Sequence, residues 1–382
     1  MNRLRRLRDD ESGMTFVFVG LGFMAFLAAT MLAIDVGMLF TARAQAQNSA
    51  DAGALGGAVA LVFNDYNDRS PDGPAVQSAL AAATANPVMG ANVSVGPADV
   101  EFLNDAAGQP NRVRVTVYRR ADRGNPVATQ MARYFGINTA DIAATATAEA
   151  APANAMSCVK PFTIPDRWIE GQDPPWDADD TFDVVDNRGR PLANPDIYIP
   201  ADQPGYTGYN SERDRGTQIT IKASNGNNIY PSFYFPYAIE GSSGADDYQW
   251  NIANCNQTIM GWGDLLTAEP GNMVGPTQFG VDELIAQDPT AYWDAVGHRA
   301  VSSMNPSPRI VAIPVFDPIY YDTGKQNGRN ADLKVANYIG IFIEGMQGGD
   351  VIARITPISG LIRGGAGPAP QGAFPRAIIL VQ

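Results

Sequence analysis

The sequence predicts an α+β protein: an N-terminal transmembrane helix that continues outward, a small α+β module, and a mainly β C-terminal domain. Three observations carry that prediction. From Met14 to Ile34 no residue is charged, and as a helix this run would measure about 31 Å, enough for a hydrocarbon core of about 30 Å. From Asp35 to Ser70 there is no proline, and Ala, Leu, Gln and Arg are good helix formers, so nothing stops the helix at the membrane surface. Beyond residue 155, Val, Ile, Phe and Tyr cluster between turn residues. The 38 glycines and 28 prolines of the 382 residues suit strands and loops better than a bundle.

These breaks divide the chain into a basic leader (1–13), a transmembrane helix (14–35), its extramembrane continuation (36–70), a small module (71–154) and a β-rich domain (155–382). Arg3, Arg5, Arg6 and Arg8 precede the span and only Arg43 follows closely. The positive-inside bias therefore keeps the N-terminus cytoplasmic and places the remainder outside. Ala44-Gln45-Ala46 has the form of a signal-peptidase site, but the apolar run exceeds a signal h-region of about 7–15 residues, so the segment reads as a signal anchor. Asp35, at the outer edge of the span, reads as an interfacial residue in reach of water and headgroups.

In the continuation, Ala46, Ala50, Ala54 and Ala58 recur every four residues and share a stripe with Gly53 and Gly57. Small residues at that spacing let another backbone approach closely. The stripe is expected to pack on the protein's own outer module or on a partner helix. Leu55, Val59 and Val62 form an apolar set for the outer module to cover, and Gln45 is expected to face away.

The module's expected order is helix-strand-strand-helix-strand. "PAVQSALAAATA" is helical and ends before Asn86-Pro87, since the residue before proline avoids the helical region. "ADVEFL" and "NRVRVTVYRR" are strands, the latter alternating Val113, Val115 and Val117 with Arg114 and Thr116. "NPVATQMARYFG" is read as a helix stopped at Gly136, and "ADIAATATAEA" as a strand. In the C-terminal domain the strands are "TQITIKA", "NIYPSFYFPYAI", "RIVAIPVFDPIYY", "VANYIGIFIEG", "DVIARITPI" and "RAIILV". "VDELIAQ" and "AYWDAVG" are read as short helical insertions, and "EPGNMVGPTQFG" as a tightly turned loop.

A net charge of −13 disfavours nucleic acid as a partner, because phosphate binding needs clustered Lys and Arg. The lone His298 lacks a second His or Cys for a metal and makes a Ser-His-Asp hydrolase improbable. The acidic run "DPPWDADDTFDVVDNRG" offers Asp177, Asp179 and Asp183 as calcium candidates. The EF-hand pattern fails there, with Phe182 where Gly is needed and Arg188 where Glu is needed, so the run reads as a solvated loop and no metal is assigned. Asp246 and Asp247 read as turn residues. No catalytic constellation and no cofactor are expected. Cys158 and Cys255 both follow the span, so both face an oxidising compartment, and a disulfide between them is expected to tie "CVKPFTIPDRW" to "YQWNIANCN".

The basic leader, Gly13 before the span, the "IDVG" exit and the pattern Q-x-x-A-D-A-x-A-L-x-G-A from Gln47 to Ala58 resemble TadE/TadG-like proteins of Flp (Tad) pilus assembly. Fainter likeness continues through "ARYFGINTADIAATATAEA" and "CVKPFTIPDRW". The resemblance implies a pilin-like long helix and a structural rather than enzymatic role in a Tad pilus or related secretion apparatus. It implies inner-membrane lipid and other membrane or periplasmic pilus-assembly proteins as partners. Some TadG-like proteins carry a von Willebrand A domain with a DxSxS metal site; no DxSxS occurs here, so that module and its metal are not implied. One rival is a minor pilin-like subunit cut after Gly13, although Phe18 stands where pilins carry Glu. Another is a calcium-dependent enzyme acting on carbohydrate outside the cell.

Overall fold

The computed structural model describes residues 12–64, 67–186, 188–223, 228–304, 306–326, 333–365 and 368–381. The arginines of the leader lie outside the described residues. The chain forms two compact units, one of residues 1–149 with Ile379–Gln382 and one of Ala150–Ile378. The composition-based boundary was drawn at 154/155, with the C-terminal strand in the second part.

The first unit is organised by α1 (Ser12–Phe63), which runs unbroken from the apolar segment into the alanine-rich one. From Gly13 to Ile34 every side chain except Met31 is largely exposed. From Asp35 onward one face is buried: Asp35, Ala42, Ala46, Ser49, Ala50, Gly53, Ala54, Gly57, Ala58 and Leu61. Helix α2 (Pro74–Thr84) lies on this face and buries Ala75, Val76, Ala79 and Ala83 against it. Because both faces are small, the backbones approach closely. A Cβ added to Gly53 would lie 3.0 Å from Ala83 Cβ and 3.2 Å from the Ala79 carbonyl oxygen. One added to Gly57 would lie 2.8 Å from Val113 Cγ1 and 3.2 Å from Ala79 Cβ. The buried Ser49 hydroxyl donates to the Ala83 carbonyl at 2.9 Å, an end-of-helix acceptor that also takes the Asn86 N–H at 3.1 Å.

Strands β1 (Val100–Leu103) and β2 (Arg112–Arg119) follow, then the short pair β3 (Val127–Ala128) and β4 (Thr139–Ala140), and then β5 (Ile142–Pro152). Alternation along β2 turns Val113, Val115 and Val117 inward, the first two onto Gly57 and Gly53. On the opposite face Arg112 pairs with Glu149 at 2.6 Å, and the Thr116 and Thr145 hydroxyls meet at 3.0 Å.

Two expectations fail in this unit. Leu55 and Val62 are only half-buried and Val59 is 43 % exposed, because the close approach takes place one face round the helix, where only Ala, Gly and Ser fit. Residues 125–136 are not a helix. They form β3 and, after it, a single tight turn, Ala132–Phe135, which Gly136 ends at φ 84°. Pro126 opens the segment, and the N–H groups of Gln130, Met131 and Ala132 are taken by Asp35.

The second unit contains β6 (Ala155–Met156), β7 (Phe162–Pro165), β8 (Gln218–Ala223), β9 (Phe233–Ala238), helix α3 (Ala245–Ala253), β10 (Met260–Gly261) and β11 (Leu265–Ala268). Helix α4 (Val274–Gln287), β12 (Tyr292–Asp294), β13 (Arg299–Val301), β14 (Ile310–Phe316), helix α5 (Pro318–Gln326), β15 (Leu333–Gln347) and β16 (Asp350–Thr356) complete it. Strand β17 (Arg376–Val381) leaves this unit and, from Ile379, joins the first, as the outer strand of the sheet β1-β2-β5-β17. In the second unit the order β15-β14-β7-β9-β8-β16, with β16 also paired to β15, closes six strands into a ring.

One face of the ring strands buries Val311, Ile313, Val315, Ile339, Ile341 and Ile343 with Tyr248 and Ile252 of α3 and Val281 and Leu284 of α4. The other buries Ala312, Phe316, Val335 and Tyr338 with Trp168, Phe182 and Tyr237. Burial on both sides is why β14 and β15 read as continuous apolar runs rather than alternating ones. Here too, some expectations give way. "AYWDAVG" contributes β12 of a hairpin, not a helix. The expected loop "EPGNMVGPTQFG" contains the start of α4, whose Gly280 leaves room for Ile252. Asp246 and Asp247 sit in the first turn of α3, where acids suit the helix dipole. The tail "PIYY" of an expected strand belongs to α5.

The contact between α1 and α2 yields a prediction. Gly57→Leu should destabilise the first unit by at least ~2 kcal/mol through overpacking against Val113 and Ala79, although Leu is the better helix former by ~0.8 kcal/mol. Gly37→Leu, where nothing lies within 4 Å, should be neutral or slightly stabilising. Thermal unfolding of the full chain in detergent, with protease sensitivity of the first unit, reads both; equal behaviour of the two variants would contradict the packing argument.

Candidate functional site

The described residues offer two kinds of place where function could lie: the surface of α1 and the polar interior of the second unit. On α1 the predicted stripe comes together. Ala46, Ala50, Ala54 and Ala58 are at most 1 % exposed, and Gly53 and Gly57 face α2 and β2. The polar residues between them hold the unit around the helix. Gln47 Nε2 donates to Asp51 Oδ1 at 2.8 Å and to the Thr145 carbonyl at 3.2 Å. Gln45, expected to face away, accepts the Met89 N–H at 2.7 Å through Oε1.

Asp35 differs most from its reading as a solvated boundary residue. It is 4 % exposed, and its carboxylate accepts the N–H groups of Gln130 at 2.8 Å, of Met131 at 3.1 Å and of Ala132. A carboxylate receiving several backbone N–H groups is a strong, charge-assisted clasp. The sequence signal for it was the lone acid closing the apolar run; its partners lie too far along the chain to be read locally.

In the second unit the polar groups are turned inward onto the fold. Asp166 is fully buried and accepts the Tyr206 hydroxyl at 2.8 Å, the Tyr198 hydroxyl at 3.0 Å, and the N–H groups of Arg167 at 2.9 Å and Tyr209 at 3.0 Å. Burial pushes its carboxyl up to about 6, against the pull of those four donors. Asn337 extends the knot, donating to the Tyr206 oxygen and to the Gly372 carbonyl, each at 2.9 Å. Glu170 and Asp196 form a buried carboxyl pair. Burial pushes Asp196 up to about 6; Glu170, despite its burial, is held down by the N–H groups of Gln172 and the Trp168 ring.

The two segments joined by the Cys158–Cys255 disulfide are stitched twice more. Cys158 N–H donates to the Asn256 carbonyl at 2.9 Å, and Lys160 Nζ to the carbonyls of Asn254 at 2.6 Å and Asn251 at 3.3 Å. Burial brings the Lys160 ammonium down to about 7. A lysine so shifted is a candidate base or nucleophile in a cleft, but this one is 3 % exposed and directed at two carbonyl oxygens.

The calcium candidates do not converge. Asp177 accepts the Asp179 N–H at 2.8 Å, Asp183 accepts the Thr181 hydroxyl, and among the described residues no three His, Cys, Asp or Glu side chains are grouped to hold a metal. His298 is exposed in the β12–β13 turn, its carbonyl accepting Arg215 Nε at 3.0 Å. An open cleft is lined by Glu240, Thr258, Asp264, Leu266 and Arg363, and these residues form no arrangement of acid, base and nucleophile.

Among the described residues, one helix, Gly13–Phe63, is long and apolar enough to cross a membrane, and its C-terminal half is the core of a folded unit. Residues 13–60, nearly the whole of that helix, match the family model of putative Flp pilus-assembly TadE/G-like proteins (Tad). No curated protein and no solved structure matches the chain.

The Asp166 knot makes stability depend on pH. A carboxyl raised from about 3.9 unfolded to about 6 folded adds stability that is full below pH 4 and is lost as pH rises through 6. The loss is on the order of 3 kcal/mol. Asp166→Asn should flatten that part of the profile in denaturant unfolding of the full chain between pH 4 and pH 7. An unchanged slope would remove Asp166 as its source.

Proposed function

We propose that the protein is a single-pass, signal-anchored structural component of a Tad (Flp) pilus or related secretion apparatus. Its N-terminus is cytoplasmic and its folded units lie outside the inner membrane. The observation that carries this is the coincidence of the family match with the bare apolar stretch of α1: residues 13–60 include both the exposed run and the buried stripe. Four arginines before the run and one soon after set the direction. The disulfide fits an oxidising compartment on the far side. The role is one of association: α1 inserts in the membrane, packs the first unit around its outer half, and presents the β-rich unit to other membrane or periplasmic pilus-assembly proteins. The match to an assembly family fits a structural rather than enzymatic role.

Two measurements test this. A phosphatase fused after Gln382 should be active only outside the cytoplasm, and cytoplasmic activity would overturn the topology. A photo-crosslinking residue in place of the exposed Phe23 or Val59 should capture other pilus-assembly proteins in native membranes. A mature chain beginning after Gly13 would move the protein to the fibre as a minor pilin-like subunit.

A further inference from the structure

The first unit carries an exposed apolar cluster beside the bare stretch of α1. The tip of the β3–β4 hairpin presents Tyr134, Phe135 and Ile137, which are 69 %, 67 % and 58 % exposed. The tip is a defined turn. Thr129 N–H donates to the Asn138 carbonyl at 3.1 Å, the Thr129 hydroxyl to the Ile137 carbonyl at 2.5 Å, and Gly136 takes the left-handed conformation that closes the turn. Arg133 is also exposed, with its guanidinium carbon 5.2 Å from the centre of the Tyr134 ring. Asp35 clasps the other flank of the tip through Gln130, Met131 and Ala132, and so fixes it at one level of α1. That level is where helix exposure changes character: residues 13–34 are unpacked, and the buried face begins at Asp35.

We propose that the Tyr134–Ile137 tip is a second membrane contact. It lays Tyr134, Phe135 and Ile137 into the interface of the leaflet that α1 leaves, and Arg133 meets lipid phosphate there. The inference rests on the reading of α1 as a membrane span. It goes beyond that reading by giving the folded unit its own lipid-binding residues and by making Asp35 the positioning residue that sets their depth. Lipid is the occupant because the cluster is continuous with the end of the span. Aromatic side chains favour the headgroup level, and a cation beside them suits anionic lipid. The Asp35 carboxylate tolerates that level because backbone N–H groups replace its water.

The test uses the full chain in vesicles of phosphatidylethanolamine and phosphatidylglycerol, with a nitroxide on one introduced cysteine; the native cysteines are bonded to each other. Labels at Ile137→Cys and, within the span, Gly22→Cys should be relaxed more by oxygen than by a water-soluble nickel chelate. A label at the exposed Ala107→Cys, on the turn leading to the Val113 end of β2, should show the reverse. Adding Asp35→Ala should reverse the Ile137 ratio while leaving the Gly22 ratio unchanged. If the Ile137 label reads aqueous while the Gly22 label reads deep, the span stands and the tip proposal falls. Aqueous readings at both sites overturn both. A tip label that is aqueous in these vesicles but shielded in native membranes would assign the cluster to a protein partner and also overturn the proposal.

Discussion

The first unit depends on how near α1 comes to α2 and β2. Gly53, Gly56 and Gly57 leave room that Ala83, Ala82, Ala79 and Val113 occupy, each 2.8–3.2 Å from where a Cβ would lie. Contacts of that kind gain little from hydrophobic area, since alanine and glycine have little to bury. They gain from dispersion between closely apposed backbones and from Ser49 reaching a carbonyl of α2. A helix core made of small residues has a further consequence. The same helix can be apolar all round where nothing covers it and still be specific where something does, because specificity comes from shape and not from a wider hydrophobic stripe.

Asp35 lies where those two regimes meet. Before it the helix has large apolar side chains on every face, the pattern of a segment solvated by hydrocarbon. After it the large side chains thin out and the buried face consists of Ala, Gly and Ser until Leu61. A charge at that junction would be costly if left dry and uninformative if left wet. Bound by three backbone N–H groups it does a third thing: it makes the end of the apolar segment a fixed point of the folded unit. The depth of the helix and the placement of the unit are then one variable.

Much of this was legible in the sequence, where the deciding forces are local. The apolar run, the alanine spacing, the alternation of Val113, Val115 and Val117, and the β-rich second half all follow from period and composition. What was not legible depends on partners distant in the chain. Residues 125–136 have helical composition, yet Asp35 takes three of their N–H groups and β4 pairs with β3. The Leu55, Val59 and Val62 set reads as a second face for the outer module beside the small-residue stripe; α2 and β2 lie on the stripe and leave that set half-buried or exposed. "AYWDAVG" reads as helical from its own residues, but hairpin pairing with Arg299–Val301 decides it. The Asp166 knot draws Tyr198, Tyr206 and Asn337 from widely separated places, and no local signal groups them.

The second unit's buried charges are matched within the fold. In a site built for chemistry, a shifted carboxyl or amine has a free side facing a cavity where a reacting atom can sit. Asp166 instead gives its oxygens to two tyrosines and two backbone N–H groups, and Lys160 points at two carbonyls next to the disulfide. Glu170 and Asp196 accept N–H groups from Gln172, Gly171 and Asp183. These groups tie loop segments to one another, to α3 and to β15, and each is buried. Buried polar networks of this kind fix one arrangement of long loops, because any other would leave a donor or charge unmatched. A domain rich in Gly and Pro needs such ties if it is to keep one arrangement of its loops, and so one constant surface.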